Sequence, residues 1–143
     1  MSKPLGEPSD NRLAEFQAYR TRMNDRVASI DHLGIKRFYN LDTGAYKEGA
    51  LDGKTKELCG LVASMVLRCN DCIDYHIIQC VDAGWNDVEL YDAFNVALIV
   101  GGSIVIPHLR HAVETLDLYR GRGNYPHAVS IRAGKTIPAG PSR

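Results

Sequence analysis

Three of the four cysteines and one of the five histidines fall within thirteen residues, RCNDCIDYHIIQC, at positions 68–80. On a helix turning about 100° per residue, Cys72 lies at about −60°, His76 at about −20° and Cys80 at about +20° relative to Cys69, so all four point to one face. Cys69 and Cys72 are an i, i+3 pair with Cα atoms about 5 Å apart, inside the range that a disulfide tolerates. At the amino end of a helix the sulfurs also meet orphan N–H groups and the positive pole of the helix dipole, which favour a thiolate over a thiol. A thiol of ordinary acidity is only a few per cent ionised at neutral pH, and about 2 kcal/mol of stabilisation of the anion raises that to about half. His76, one turn above Cys72, is within reach for proton transfer directly or through one water. The spacing therefore offers Cys72 as a nucleophile and His76 as its proton partner.

Three plainer uses compete for the same residues. Structural zinc could draw on Cys69, Cys72, His76 and Cys80, but on one straight helix these ligands span about 16 Å of axis, and a tetrahedral ion needs ligands that wrap it. Cysteine also packs as a small hydrophobe, and that reading suits Cys59 and Cys80 taken singly. His76 could likewise be a satisfied core histidine.

Helices must position these side chains. From Asp10, apolar residues recur every three or four positions through Leu13, Phe16, Met23, Val27 and Ile30, predicting a first helix that ends near Asp31. Residues 32–50 leave room for at most one short helix before a loop through Gly44 and Gly49. Asp52 is a plausible N-cap for a long helix to about Leu67, with Leu58, Leu61, Val62, Met65 and Val66 as its buried stripe. After a break at 68–70 a third long helix runs to about Ala83, where Gly84 supplies a stop. Asn86 with Glu89 resembles a capping box and opens a helix to about Val100 that buries Val88, Tyr91, Phe94 and Leu98. Ala97, Ile99 and Val100 extend its apolar surface beyond one stripe, as a subunit contact would require. Gly101 and Gly102 break the chain. A last helix carries Leu109, Ala112, Val113 and Leu116 to about Arg120, with Pro107 in its first turn and SIVI, 103–106, as an alternative short strand. His108 and His111 read as a solvated helix face or a subunit contact.

A chain of 143 residues is expected to enclose one core, giving a single all-α domain over 1–143: an arm at 1–9, a helical bundle at 10–120 and a basic tail at 121–143. That tail, with four basic and no acidic residues, is either mobile or docked on a neighbouring subunit. The formal net charge is zero, so no global positive field draws nucleic acid or an anionic membrane. The amino-terminal MSKPLGEPSD has no apolar run of the kind a secretion signal carries, and no later stretch approaches about 20 apolar residues. A soluble, cytoplasmic protein in a reducing compartment is the expectation, where a C-x-x-C signals reactivity or metal.

The pattern Glu57-x11-Cys69-x2-Cys72-x3-His76, with LDGKTKEL before it and AGWNDVELYDAFNVALIVGG after it, resembles the alkylhydroperoxidase D and carboxymuconolactone decarboxylase family over about Leu51 to Leu118. The resemblance implies an all-helical fold whose C-x-x-C cycles between dithiol and disulfide, reducing hydroperoxides or relaying electrons to a partner peroxidase. Carried across by position, Cys72 is the attacking thiolate, Cys69 the resolving thiol, and Glu57 and His76 the proton relay. The resemblance implies no cofactor beyond that redox-active disulfide and an external dithiol donor, and it implies a homotrimer or homohexamer. The decarboxylase branch generally lacks the cysteine pair, so Cys69 and Cys72 argue for the redox branch. Some redox members carry a histidine just before the second cysteine; here Asp71 stands there, and its charge opposes thiolate formation. A straight antiparallel hairpin would also put Glu57 roughly 15 Å from the turn and His76 about 9 Å, so their meeting requires a kink, an oblique crossing or a neighbouring subunit. Rival functions are a decarboxylase of the same fold, with His76 and Glu57 moving protons, and a non-enzymatic oligomeric metal-binding or scaffolding protein.

Overall fold

The computed structural model describes residues 12–122. They form six α-helices: α1 (Arg12–Ala28), α2 (Leu33–Ala45), α3 (Gly53–Val66), α4 (Asn70–Asp82), α5 (Asp87–Gly101) and α6 (Ile106–Tyr119), with a single 3₁₀ turn at Ser103–Val105. The arm at 1–9 and the tail beyond Arg122 lie outside the described residues.

Local chemistry sets most helix ends. Asp52 caps α3, its Oδ1 accepting the Thr55 N–H at 2.7 Å. At α5 the Asn86 side chain accepts from Glu89 N and Glu89 Oε2 accepts from Asn86 N, each at 2.9 Å, completing the capping box. Each such cap contributes about 1 kcal/mol. The end of α4 is a left-handed stop at Gly84, with φ of 96°. Its N–H reaches Val81 O, and Trp85 N–H reaches Cys80 O. Trp85 then donates from Nε1 to Lys54 O at 3.0 Å, fastening the last turn of α4 to the first turn of α3.

The core lies where α3, α4, α5 and α6 meet. Leu61 and Met65 of α3, Ile73, Ile77 and Cys80 of α4, Leu90, Phe94 and Ala97 of α5, Val105, and Ala112 and Leu116 of α6 form one buried cluster. A fully buried side chain of this size stabilises by roughly 1.5–3 kcal/mol, so this cluster is what holds α3 and α4 side by side. α1 packs chiefly on α6, reaches α4 through Arg12 and Arg20, and buries Leu13, whereas α2 buries none of its residues.

Four sequence expectations change. The short helix and glycine loop at 32–50 is a 13-residue helix that carries Gly44 in its last turn, where a glycine costs at most about 1 kcal/mol. Its weak apolar period reflects the absence of a core face: Phe38 and Leu41 are 68% and 74% exposed. In α5 the buried stripe is Leu90, Ala93, Phe94 and Ala97, while Val88 and Tyr91 face outward. Two apolar stripes run along this helix, and the one carrying the small Ala93 and Ala97 faces the core. Residues 103–105 form a 3₁₀ turn, which removes the alternative of a short strand there, while Pro107 sits in the first turn of α6 as expected. Cys59 is exposed, because it lies about 200° around α3 from the buried Leu61.

Candidate active site

The α3–α4 turn fixes the cysteine pair. Arg68 sits in the left-handed region at φ 61°, its N–H bonding to Met65 O at 3.1 Å, while Cys69 N–H bonds to Ser64 O at 3.0 Å. This closing pattern usually carries glycine, so Arg68 holds about 1–2 kcal/mol of backbone strain. The turn is so tight that Cys69, whose N–H closes the end of α3, is also the N-cap of α4: its sulfur accepts the Cys72 N–H at 3.3 Å. Cys69 and Cys72 are joined in a disulfide, with Cα atoms 5.2 Å apart. Cys72 is exposed and Cys69 partly covered. Cys80, by contrast, is fully buried, and burial reinforced by the charge of Glu57 pushes its thiol up to about 12. With two sulfurs bonded to each other and the third sealed in the core, the zinc set weighed from the sequence does not converge.

Below the disulfide, His76 Nδ1 lies 2.8 Å from Glu57 Oε2, with both side chains about nine-tenths buried. The axial gap expected of a straight hairpin is closed within one chain. The imidazole lies against the α3 backbone at Gly60, where a Cβ would stand 2.5 Å from Cε1, and from there it reaches the turn that carries Glu57. Glycine is therefore required at 60 by close approach, the ring occupying the space of a side chain. A carboxylate at Nδ1 takes the hydrogen of that nitrogen and leaves Nε2 as the reactive one.

Nε2 meets a residue the sequence did not single out. The hydroxyl of Tyr46, at the end of α2, lies 3.4 Å from it, and the two ring centroids are 5.4 Å apart. Tyr75 also packs edge-on against the imidazole, with ring centroids 5.0 Å apart. Burial, and next the charge of Glu57, raises both phenols above their ordinary value. Arg20 of α1 stacks over Tyr75 at 4.3 Å. No short motif marks Tyr46, which falls where the sequence predicts a loop.

Cys72 and His76 open onto a cleft of about 740 Å³ between α1, α2 and α4. Phe16, Tyr19, Phe38, Tyr39, Tyr46 and Tyr75 give it an aromatic lining, and Asp71 stands at the mouth beside Cys72. Cys69 is absent from its walls, so Cys72 is the sulfur that a bound molecule meets.

A second polar cluster lies on the α6 side of α4. Asp74, 2% exposed, accepts from His111 Nε2 at 2.7 Å, from Arg12 Nη1 at 3.1 Å and from the Thr115 hydroxyl. Burial works to raise this carboxyl, but the hydrogen bonds from His111 and Thr115 and the charges of His111 and Arg12 outweigh it and hold Asp74 below the usual carboxylate value. His111 is thus an intramolecular tie between α4 and α6, where the sequence reads a solvated face or a subunit contact. His108 pairs with Asn70 Oδ1 at 2.7 Å.

A cysteine pair opening a helix, above a carboxylate–imidazole pair at the foot of a cleft in an all-helical fold, defines a class that comparison with known proteins identifies. The sequence profile of the Carboxymuconolactone decarboxylase family matches residues 35–115, more than half of the chain, and the chain belongs to that family. It is 54% identical to a solved carboxymuconolactone decarboxylase family protein of Thermotoga maritima for which a part in the antioxidative response has been suggested; the match covers 75% of this chain and 91% of that one, with a TM-score of 0.72. A second family member, solved in its apo form from Legionella pneumophila, is 26% identical over 80% of this chain and 99% of its own, with a TM-score of 0.64. An uncharacterised protein from the cox locus of Paracoccus denitrificans is 29% identical over 63% of this chain and 78% of its own. Among the described residues no helix is long and apolar enough to cross a membrane.

Proposed function

We propose that this chain is a thiol-dependent peroxidase and disulfide oxidoreductase that reduces hydroperoxides, or relays electrons to a peroxidase, through Cys69 and Cys72. The observation that carries the reading is the disulfide at the amino end of α4, opening on the cleft directly above the His76–Glu57 pair. In the dithiol form the Cys72 thiol gives its proton to His76, whose imidazolium is stabilised by the Glu57 carboxylate. The Cys72 thiolate attacks the terminal oxygen of the hydroperoxide; the O–O bond breaks, the sulfur is oxidised to a sulfenic acid, and the leaving alkoxide takes up the proton held at His76. Cys69 then attacks the Cys72 sulfur, expelling water and forming the disulfide, and an external dithiol restores the pair by exchange.

The cleft supports this order of attack, since it exposes Cys72 and leaves Cys69 behind it. Asp71 opposes the thiolate, while the N–H groups and dipole of the first turn favour it. Both influences act on Cys72, since Asp71 and Cys72 share the first turn of α4. The redox couple needs no cofactor beyond the two sulfurs and the dithiol donor. The uncovered Val88, Val96, Ile99 and Val100 of α5, between 52% and 79% exposed, support association as a homotrimer or homohexamer. With a dithiol donor and tert-butyl hydroperoxide, Cys72→Ser is expected to lose turnover completely; unchanged turnover refutes the assignment.

A further inference from the structure

Within the peroxidase reading, the route by which the proton held at His76 reaches the leaving oxygen has no assigned group. We propose that Tyr46 is the terminal proton donor of the site, its phenol passing to the leaving alkoxide the proton held by His76. This proposal rests on the function proposed above and deepens it.

The imidazole is held by four contacts and keeps an edge on the cleft. Nδ1 is engaged by Glu57 at 2.8 Å, the ring face rests where Gly60 has no side chain, and the rings of Tyr75 and Tyr46 pack against it at 5.0 and 5.4 Å. With Nδ1 tied to Glu57 and the ring held against α3, the proton leaves through Nε2. The group facing Nε2 is the Tyr46 hydroxyl, at 3.4 Å, and Tyr46 lines the same cleft as Cys72. A contact of that length is loose for a hydrogen bond, as acid–base contacts commonly are before substrate closes the site.

Protons balance along this line. The Cys72 thiol proton goes to His76, and imidazolium Nε2–H donates to the Tyr46 oxygen. As the O–O bond breaks, the phenol O–H passes its proton to the alkoxide while the phenol oxygen takes the one from Nε2. Alcohol leaves, Tyr46 is again a phenol and His76 is again neutral. The chain Glu57–His76–Tyr46 is regenerated in each turnover. The phenol is faced by Glu57 and Cys59 from α3, Asp42 from α2, and Tyr75 and His76 from α4. Burial and the negative charges of Glu57 and Asp42 hold the phenol above its ordinary value, so it stays protonated at neutral pH.

The test compares two peroxides in single turnovers of the dithiol form. tert-Butyl hydroperoxide expels a strongly basic alkoxide that needs a proton, whereas peroxybenzoic acid expels benzoate, which needs none. Tyr46→Phe keeps the ring packed on His76 and removes only the donor. It is expected to slow the first reaction about 100-fold, the scale of a lost general acid, and the second by less than about threefold. An equal loss with both peroxides, as misplacement or misfolding would give, overturns the proposal, and so does undiminished reaction with tert-butyl hydroperoxide. A wild-type protein that reacts with neither peroxide sinks the peroxidase reading itself and this step with it. On the wild-type chain, rates of the tert-butyl hydroperoxide reaction in mixtures of light and heavy water should curve, as two protons in flight require. A straight dependence, meaning one proton, contradicts the assignment.

Discussion

Replacing Gly60 with alanine isolates the geometry on which the proton relay depends. In the middle of α3, glycine to alanine ordinarily stabilises by about 1 kcal/mol through helix propensity. Here the new Cβ would lie 2.5 Å from His76 Cε1, 2.8 Å from Nε2 and 2.9 Å from Nδ1, whereas ordinary contact begins at 3.4 Å. The ring would have to retreat by about 0.9 Å. It has little room to do so, with Tyr46 and Tyr75 against it and its bond to Glu57 at 2.8 Å. Overpacking of this kind costs about 1–3 kcal/mol, and a stretched hydrogen bond to a charged group about 1.5–3 more. Gly60→Ala should therefore lower stability by about 2–4 kcal/mol in urea unfolding of the disulfide form. Hydroperoxide turnover should fall about 100-fold, because a catalytic group displaced by about 1 Å loses that much. Gly44→Ala in α2, where nothing lies within 4 Å of the added Cβ, is the control and should gain about 0.5 kcal/mol. If Gly60→Ala is as stable as Gly44→Ala and turns over normally, the imidazole is not held against α3 and the argument fails.

The buried Asp74 tie should make stability depend on acidity. Its carboxyl is held below the usual value in the folded protein, so between that value and the ordinary ~3.9 the unfolded chain binds more protons; the stabilisation is complete above pH 5 and is lost as pH falls through the folded value. Asp74→Asn should lower stability by about 3 kcal/mol at pH 7 and flatten the slope below pH 5; an unchanged slope in urea titrations would rule this out. Alkylation should separate the two free thiols: in reduced protein at pH 8, iodoacetamide should modify the exposed Cys59 and leave Cys80, buried and pushed up to about 12, at least about 1,000-fold slower until the chain unfolds. Comparable rates in peptide mass analysis would contradict the burial.

What the sequence made legible was whatever local rules govern. The caps at Asp52 and Asn86, the stop at Gly84 and the 3.6-residue period of α3, α4 and α6 follow from side chains a few residues apart, and each lies where the sequence places it. The C-x-x-C pair is equally local, because three residues at a helix start fix its separation. Contacts that depend on how helices cross were not legible. Glu57 meets His76 only because Gly60 leaves room for the ring, and no axial estimate contains that fact. Tyr46 lies thirty residues before His76 in a stretch without a core face, so no periodicity flags it. Val88 and Tyr91 of α5 face outward, which the sequence does not reveal because their stripe and that of Ala93 and Ala97 are both apolar, and only tertiary packing chooses between them. The partners of His111 likewise lie on two other helices.

The cysteine cycle is tested most directly by the atom balance of one turnover. Fully reduced protein, treated with one equivalent of tert-butyl hydroperoxide, is expected to lose two of its four thiols and to release one equivalent of tert-butyl alcohol, with the new disulfide mapping to Cys69 and Cys72. Peroxide that persists beside four intact thiols, or alcohol formed just as fast by Cys72→Ser, would contradict the account.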